Sequence, residues 1–327
     1  MLDLRNCDCM EMMRDLKDKS QHLIICDPPY FEVKGEFDFI WSSFEDYLKD
    51  VEKWAIEIKR ILSDNGTLLW WGHAKKIAYT QIILDKYFSL CNSLVWRKTV
   101  CQTRASSFDD AMAFAPVTER ILMYSSMEMD LTGLKTVEKE YIAPRNPFAI
   151  ELKRARIKKG VSINAVAEYG KFYGNVNHGG AVTNWENGYN IPLKDQWVTL
   201  CYNLPIELKN YDNLRLEYDN LRLEYEDKRR TFNNTMKLED VLDFDQESSQ
   251  TGQHKHPTQK PPKLCRSLIM TCSKKGQNLF IPFLGSFVEA VEGFNFGLNV
   301  SGSELDKDYF EAGMKRVKQE TAQVSMF

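Results

Sequence analysis

The chain has 327 residues, 43% of them hydrophobic and 27% charged, with a formal net charge of −3. That length admits one large or two modest domains around a sizeable core, and the near-neutral charge excludes binding of nucleic acid by bulk attraction. No apolar run approaches membrane-spanning length, the start MLDLRNCDCM lacks the basic-then-apolar order of a signal peptide, and the eight cysteines include no C-x-x-C pair. A cytoplasmic protein with reduced thiols and no metal site is expected.

His22–Cys26 (HLIIC) is a short apolar run that reads as a parallel-sheet strand. It runs into Asp27-Pro28-Pro29-Tyr30, where two prolines remove N–H donors and turn the chain out of the sheet. The turn delivers one carboxylate, rigid carbonyls and an aromatic ring to a sheet rim. Tyr47, Val51, Trp54, Ala55, Ile58, Ile61 and Leu62 then recur at helical spacing, with Asn65-Gly66 as the stop and Thr67–Trp71 as a buried strand. A helix over Lys75–Lys86 and strands near Leu90–Trp96 and Arg120–Tyr124 follow. Between those strands, Lys98–Pro116 has the composition of a loop beside a site.

Residues 141–253 differ in character from what surrounds them. Pro147–Pro192 is rich in Lys, Arg, Asn and Gly and reads as all-helical. Its opening helix, Leu152–Lys159, is basic and stops at Gly160. Further on, Tyr211-Asp-Asn-Leu-Arg-Leu-Glu217 repeats as Tyr218-Asp-Asn-Leu-Arg-Leu-Glu224, a period of seven that puts Tyr and Leu on one stripe of a single packed helix within 205–232. Met236–Gln250 is acidic and reads as a connecting loop.

From residue 254 the alternation returns. Leu264, Leu268, Ile269 and Cys272 mark a helix, Asn278–Ile281 and Leu298–Gly302 are strands, and Tyr309 to Val317 places a last helix. Strands alternating with helices on both sides of an insert predict one α/β sheet built from two sequence segments, 1–140 and 254–327. In this second segment Phe280-Ile-Pro-Phe-Leu-Gly-Ser-Phe287 is a strand running into a turn before a helix, a place where backbone N–H groups meet a ligand. Ser301-Gly-Ser-Glu-Leu-Asp306 ends the next strand with Glu304, suited to ribose hydroxyls, and His256-Pro-Thr-Gln-Lys-Pro261 adds a cation and a hydroxyl.

In this order the motifs resemble the amino-methyltransferases of DNA, in the beta arrangement, over about residues 1–124 and 254–320. The strongest elements are DPPY and HPTQKP, and Asn6-Cys7-Asp8-Cys9 matches the family's N-terminal segment. The resemblance implies a doubly wound, mostly parallel, Rossmann-like methyltransferase sheet with an inserted target-recognition domain. It implies S-adenosylmethionine as cofactor and double-stranded DNA as partner. It assigns Asp27 and the carbonyl of Pro28 to the exocyclic amine, with Pro29 shaping the turn and Tyr30 stacking on a base flipped from the duplex. Asp8, His256, Thr258, Lys260, Phe283, Gly285, Ser286 and Glu304 fall to the cofactor. DPPY is commoner among adenine-N6 than cytosine-N4 enzymes, so adenine is the expected base, with cytosine N4 as the alternative. No nuclease motif is visible, so the chain is expected to modify DNA rather than cut it.

One departure carries weight. The family's loop usually reads Asp-Pro-Phe-x-Gly-Ser-Gly, whereas Ile281 and Phe287 stand at its first and last positions here. Phenylalanine does not adopt the conformations of glycine cheaply, which raises a competing reading as a catalytically degenerate DNA-binding regulator. A Phe287 ring in the crevice favours the regulator, and one turned toward the adjoining helix favours the enzyme. A nicotinamide dehydrogenase is disfavoured because no G-x-G-x-x-G follows an early strand.

Within the insert, Ala181-Val-Thr-Asn-Trp-Glu-Asn-Gly188 resembles the recognition helix of the Cro-type helix-turn-helix, with the match spanning about 147–204. That resemblance implies Thr183 and Asn184 near base edges, Trp185 in the core, and Lys153, Arg154, Arg156, Lys158 and Lys159 on phosphates. Members of the methyltransferase family often dimerise, and the Tyr/Leu heptads offer a surface for pairing two copies.

Overall fold

The computed structural model describes residues 1–32, 40–98, 116–127, 137–170, 179–203, 207–246 and 259–322. In chain order the first segment carries β1 (Leu2–Arg5), α1 (Cys9–Asp15), β2 (Gln21–Cys26), α2 (Phe44–Ile61), β3 (Leu62–Gly72), α3 (Ile77–Leu84), β4 (Ser89–Lys98) and β5 (Thr118–Ser125). The insert holds α4 (Val137–Ile142), α5 (Pro147–Lys159), α6 (Ile163–Gly170), α7 (Gly179–Glu186), α8 (Lys194–Asn203) and α9 (Tyr211–Lys228). The chain then returns through β6 (Val241–Phe244), α10 (Pro262–Cys272), β7 (Asn278–Ile281), α11 (Val288–Phe296), β8 (Asn299–Ser303) and α12 (Lys307–Ala322). Among the described residues no helix is long and apolar enough to cross a membrane.

The strands form one sheet in the order β1-β8-β7-β2-β3-β5-β4-β6. The β1–β8, β7–β8, β2–β7, β2–β3 and β4–β6 ladders are parallel, and β5 runs antiparallel to both β3 and β4. This is the expected doubly wound, mostly parallel α/β sheet. Its central strands alternate between two apolar cores. Leu23 and Ile25 of β2 face one, with Leu69 and Trp71 of β3, and Ile24 and Cys26 face the other, with Leu68 and Trp70. Each fully buried Leu or Ile there stabilises the fold by about 2 kcal/mol relative to exposure. From β2 the chain winds one way to β3, while β7 and β8 lie on the other side. A crevice therefore opens at the carboxyl ends of β2 and β7, where a doubly wound sheet binds ligands.

Local chemistry sets the element ends. Ser43 caps α2 by accepting the Asp46 N–H at 3.1 Å, and Tyr47, Val51, Trp54, Ala55, Ile58 and Ile61 make its buried face. Asn65-Gly66 does not stop this helix as expected. The helix ends at Ile61, and Leu62 turns extended to begin β3, so Asn65 and Gly66 lie inside the strand.

The chain divides into two compact units, one of Met1–Gly133 with Arg230–Phe327 and one of Leu134–Arg229. The insert is thus shorter at its end than the expected 141–253. Val241–Phe244, anticipated as a connecting loop, is an edge strand paired in parallel with Val95–Lys98, and it buries Leu242. The insert unit has its own core of Phe148, Leu152, Val166, Val182, Trp185, Trp197, Leu200 and Leu214. Asn146 caps α5 by accepting from the Phe148 and Ala149 amides, and Gly160 closes it in the left-handed conformation at φ 67°. α9 packs its Leu214 and Tyr225 inward while Leu216 and Leu223 stay exposed, and it spans Tyr211–Lys228 rather than 205–232.

Candidate active site

A crevice of about 1320 Å³ lies at the carboxyl ends of these strands. Asp8, Asp27, Pro28, Pro29, Tyr30, Lys260, Phe283, Gly285, Ser286 and Glu304 all line it. His256 and Thr258, the remaining two residues assigned to the cofactor, lie outside the described residues.

On the β2 side, both carboxylate oxygens of Asp27 are engaged. The Tyr30 hydroxyl donates to Oδ1 at 2.6 Å, and the Lys260 ammonium lies 2.6 Å from Oδ2. Lys260 is only 3% exposed, packs 4.9 Å from the Trp71 ring centroid and has a second carboxylate, Glu119, at 3.5 Å. The Lys98 ammonium holds the other oxygen of Glu119 at 2.8 Å. Burial drives the Asp27 carboxyl upward, opposed by Lys260 and by the Tyr30 hydroxyl. Burial alone would lower Lys260, but the carboxylates of Asp27 and Glu119 hold it above its ordinary value. Lys260 thus meets the DPPY carboxylate, although its motif placed it with the cofactor.

On the β7 side the turn Pro282–Phe287 is tied down by backbone groups. The Leu284 N–H donates to the Ser303 carbonyl at 2.9 Å, the Ser303 hydroxyl to the Pro282 carbonyl at 2.8 Å, and the Phe287 N–H to the Leu284 carbonyl at 2.7 Å. Glu304 braces the turn: Oε2 accepts the Gly285 N–H at 2.8 Å and Oε1 the Asp306 N–H at 3.0 Å. Phe283 meets Trp54 edge-on at 5.0 Å. Asp8, across the crevice, caps α1 by accepting the Met10 N–H at 2.8 Å.

The Phe287 departure has a physical resolution. The residue sits at φ 61°, in the left-handed region, and its side chain is fully buried. The ring faces away from the crevice, edge-on to Phe310 at 5.8 Å, and fills the notch left by Gly313 of α12, where any Cβ would overlap it. A glycine in one helix thus accommodates the phenylalanine of the loop, and the turn stays open to the crevice.

Glu119, Trp41, Trp54 and Glu289 line the crevice but belong to no motif and gave no signal of a site in the sequence, whereas Lys98, at the border of the loop expected beside the site, lines it too. His73 also lines it, at the end of β3; its Nδ1 is buried without a hydrogen-bond partner among the described residues, and burial lowers its basicity. Glu289, in the first turn of α11, is 5% exposed and accepts from the Cys265 thiol at 3.5 Å. Burial, reinforced by the charge of Asp27, pushes its carboxyl up from 4.5 to about 7. Between those values only the folded chain keeps the proton, so folded-state stability from this group is highest below 4.5 and falls as pH rises toward about 7. Glu289→Gln is expected to remove that slope. Relative to its effect at about pH 4, it should stabilise the protein at about pH 8 by roughly 2 kcal/mol. Urea-unfolding midpoints at both pH values check this, and an equal effect at the two would contradict it.

In the insert, Lys153, Lys158 and Lys159 are exposed on α5, Asn184 is exposed on α7, and Thr183 is half-buried beside it. Arg154 is exposed but bonded to Glu151 at 2.8 Å. Arg156 is not placed for a phosphate as expected. Its guanidinium makes two bonds to Glu186, at 2.5 and 2.9 Å, and one to the Val161 carbonyl, clamping α5 to the end of α7. Trp185 is 3% exposed and belongs to the core.

A family model described as DNA methylase, of the N6/N4 methyltransferase type, matches residues 21–315. Type II methyltransferase M2.DpnII of Streptococcus pneumoniae is 23% identical over 97% of this chain and 90% of its own length. Among solved structures, the M1.HpyAVI–SAM complex aligns with a TM-score of 0.51 at 16% identity, covering 97% of this chain and all of that one. PvuII DNA methyltransferase, titled cytosine-N4-specific, gives a TM-score of 0.54 at 10% identity, covering 99% and 92%. Likeness at such identities speaks for the fold, and the family match over nine-tenths of the sequence speaks for more: the chain belongs to the N6/N4 DNA methyltransferases.

Proposed function

We propose that this protein methylates the exocyclic amine of a base flipped out of double-stranded DNA, with adenine N6 as the target and S-adenosylmethionine as the donor. The observation that carries this reading is the meeting of the DPPY turn and the Pro282–Ser286 turn in one crevice at the switch point of the sheet. The crevice fits the cofactor because Phe287 points out of it and the Gly285 turn remains open. Asp8, Phe283, Gly285, Ser286 and Glu304 would hold it.

S-adenosylmethionine, when bound, supplies an electrophilic methyl group on its sulfonium. The chain's own residues supply alignment. An aromatic amine is a poor nucleophile because its lone pair is delocalised into the ring. Asp27 accepts one of its N–H groups and the Pro28 carbonyl the other, which favours a pyramidal nitrogen with a directed lone pair. Tyr30, its hydroxyl anchored on Asp27, offers its ring to the flipped base. Lys153, Lys158 and Lys159 serve phosphates, and Thr183 and Asn184 of α7 lie toward base edges.

The test is transfer of label from methyl-tritiated S-adenosylmethionine to unmethylated phage DNA, followed by digestion to nucleosides and mass spectrometry. N6-methyladenine is the expected product. N4-methylcytosine would move the protein to the other branch of its family, and absence of label with intact cofactor binding would support the degenerate DNA-binding reading.

A further inference from the structure

The alternating charges beneath the DPPY turn have a property that alignment of the amine does not use. Asp27, Lys260, Glu119 and Lys98 form a chain of opposite charges, with separations of 2.6, 3.5 and 2.8 Å. Its middle link is loose. Glu119 Oε2 is buried and has no hydrogen-bond partner among the described residues, although the Lys260 ammonium stands 3.5 Å away. Buried polar atoms are seldom left unbonded, so this oxygen is a ready second seat for the ammonium. Meanwhile the first seat, Asp27 Oδ2, is the kind of acceptor that the target amine needs.

The electrostatics of the reaction give the second seat a use. As the methyl group moves onto the amine, the carbon–sulfur bond breaks, a carbon–nitrogen bond forms, and the positive charge passes from sulfur to nitrogen. The nitrogen later releases one proton to solvent. An ammonium fixed on Asp27 would repel that developing charge in a dry site, where such interactions are strong. We infer that Lys260 is a displaceable counter-ion. It holds Asp27 as a carboxylate in the ligand-free protein and passes to Glu119 when the amine docks. Lys260 is then a positioning residue of the base side rather than part of the cofactor grip. The inference rests on the methyltransferase reading. Other ionisable groups facing this chain are Tyr30, whose hydroxyl lies 2.6 Å from Asp27 and accepts from Lys260 at 3.4 Å, Cys26 at the end of β2, His73 at the end of β3, Cys265 on α10 and Glu289 on α11.

The experiment compares the parent with Lys260→Met, Lys260→Arg and Glu119→Gln. It measures cofactor affinity by calorimetry and single-turnover label transfer to unmethylated phage DNA from about pH 6 to about pH 9. Lys260→Met should keep parental cofactor affinity and lose about 100-fold in rate near neutrality, recovering as rising pH ionises Asp27. Lys260→Arg should abolish that pH slope. Glu119→Gln, which keeps the Lys260–Asp27 pair, should slow transfer about tenfold at every pH. Should Lys260→Met fail to fold in a thermal melt, Glu119→Gln decides alone. The inference is overturned if Lys260→Met loses cofactor binding without a pH slope, or if Glu119→Gln transfers at the parental rate. A parent that binds cofactor yet transfers no label sinks the methyltransferase reading itself, a result distinct from any difference among variants.

Discussion

A protein carrying Asp27→Ala is expected to bind S-adenosylmethionine as the parent does and to transfer methyl groups about a thousandfold more slowly. The substitution removes the acceptor that would hold the amine, while the proposed cofactor contacts come from the β7 and β8 turns and from Asp8. It also parts Lys260, which is 3% exposed, from its nearest carboxylate, leaving it Glu119 at 3.5 Å and the Tyr30 hydroxyl at 3.4 Å. Breaking one side of a buried ion pair costs about 3 kcal/mol, so the variant should also melt earlier. Rate and affinity measured on the same preparation separate the two effects. A variant that transfers at the parental rate would remove Asp27 from the chemistry, and one that loses cofactor binding would place it in the wrong half of the crevice.

Phe287→Gly restores the glycine usual at this position of the family's loop, yet it should destabilise the protein by about 2–4 kcal/mol. Relief of the left-handed backbone, at φ 61°, returns only about 1 kcal/mol. Against that, a fully buried ring is lost from its packing on Phe310 and from the notch at Gly313. Removing a buried phenylalanine costs about 3–5 kcal/mol. Gly313→Ala should be harmful in the parent, where the Phe287 ring fills the notch. In the Phe287→Gly background it should be favourable, because the helix gains the better former by about 1 kcal/mol. A double-mutant cycle in urea measures this coupling. Additivity of the two substitutions would show that the ring does not depend on the notch.

The two rim motifs were legible because each joins a short apolar strand to residues that force the chain out of the sheet, and such boundaries are local. The fate of Phe287 was not legible, since the residue that accommodates it lies 26 positions later, in another helix. Glu119 gave no signal either. It sits near the start of an ordinary strand and acquires meaning only when Lys260 arrives from a distant segment. β6 escaped notice because its four residues stand in an acidic stretch and a single leucine, Leu242, carries the burial. Arg156 misled for the opposite reason: one basic residue in a basic run looks like its neighbours until Glu186 is folded against it. What periodicity reports is burial by element, and what it misses is pairing across elements.

The route of the chain through its sheet has a consequence for synthesis. Among the described strands β1 pairs only with β8, nearly three hundred residues away, and β2 has β7 as one of its two neighbours. A ribosome therefore releases the first strands long before their partners exist, leaving hydrogen-bonding edges uncovered. The insert unit is contiguous and has its own core, so it can close while the rest is still being made. A nascent chain stopped before Asn299 should expose those edges and aggregate, whereas the insert within it is already shaped.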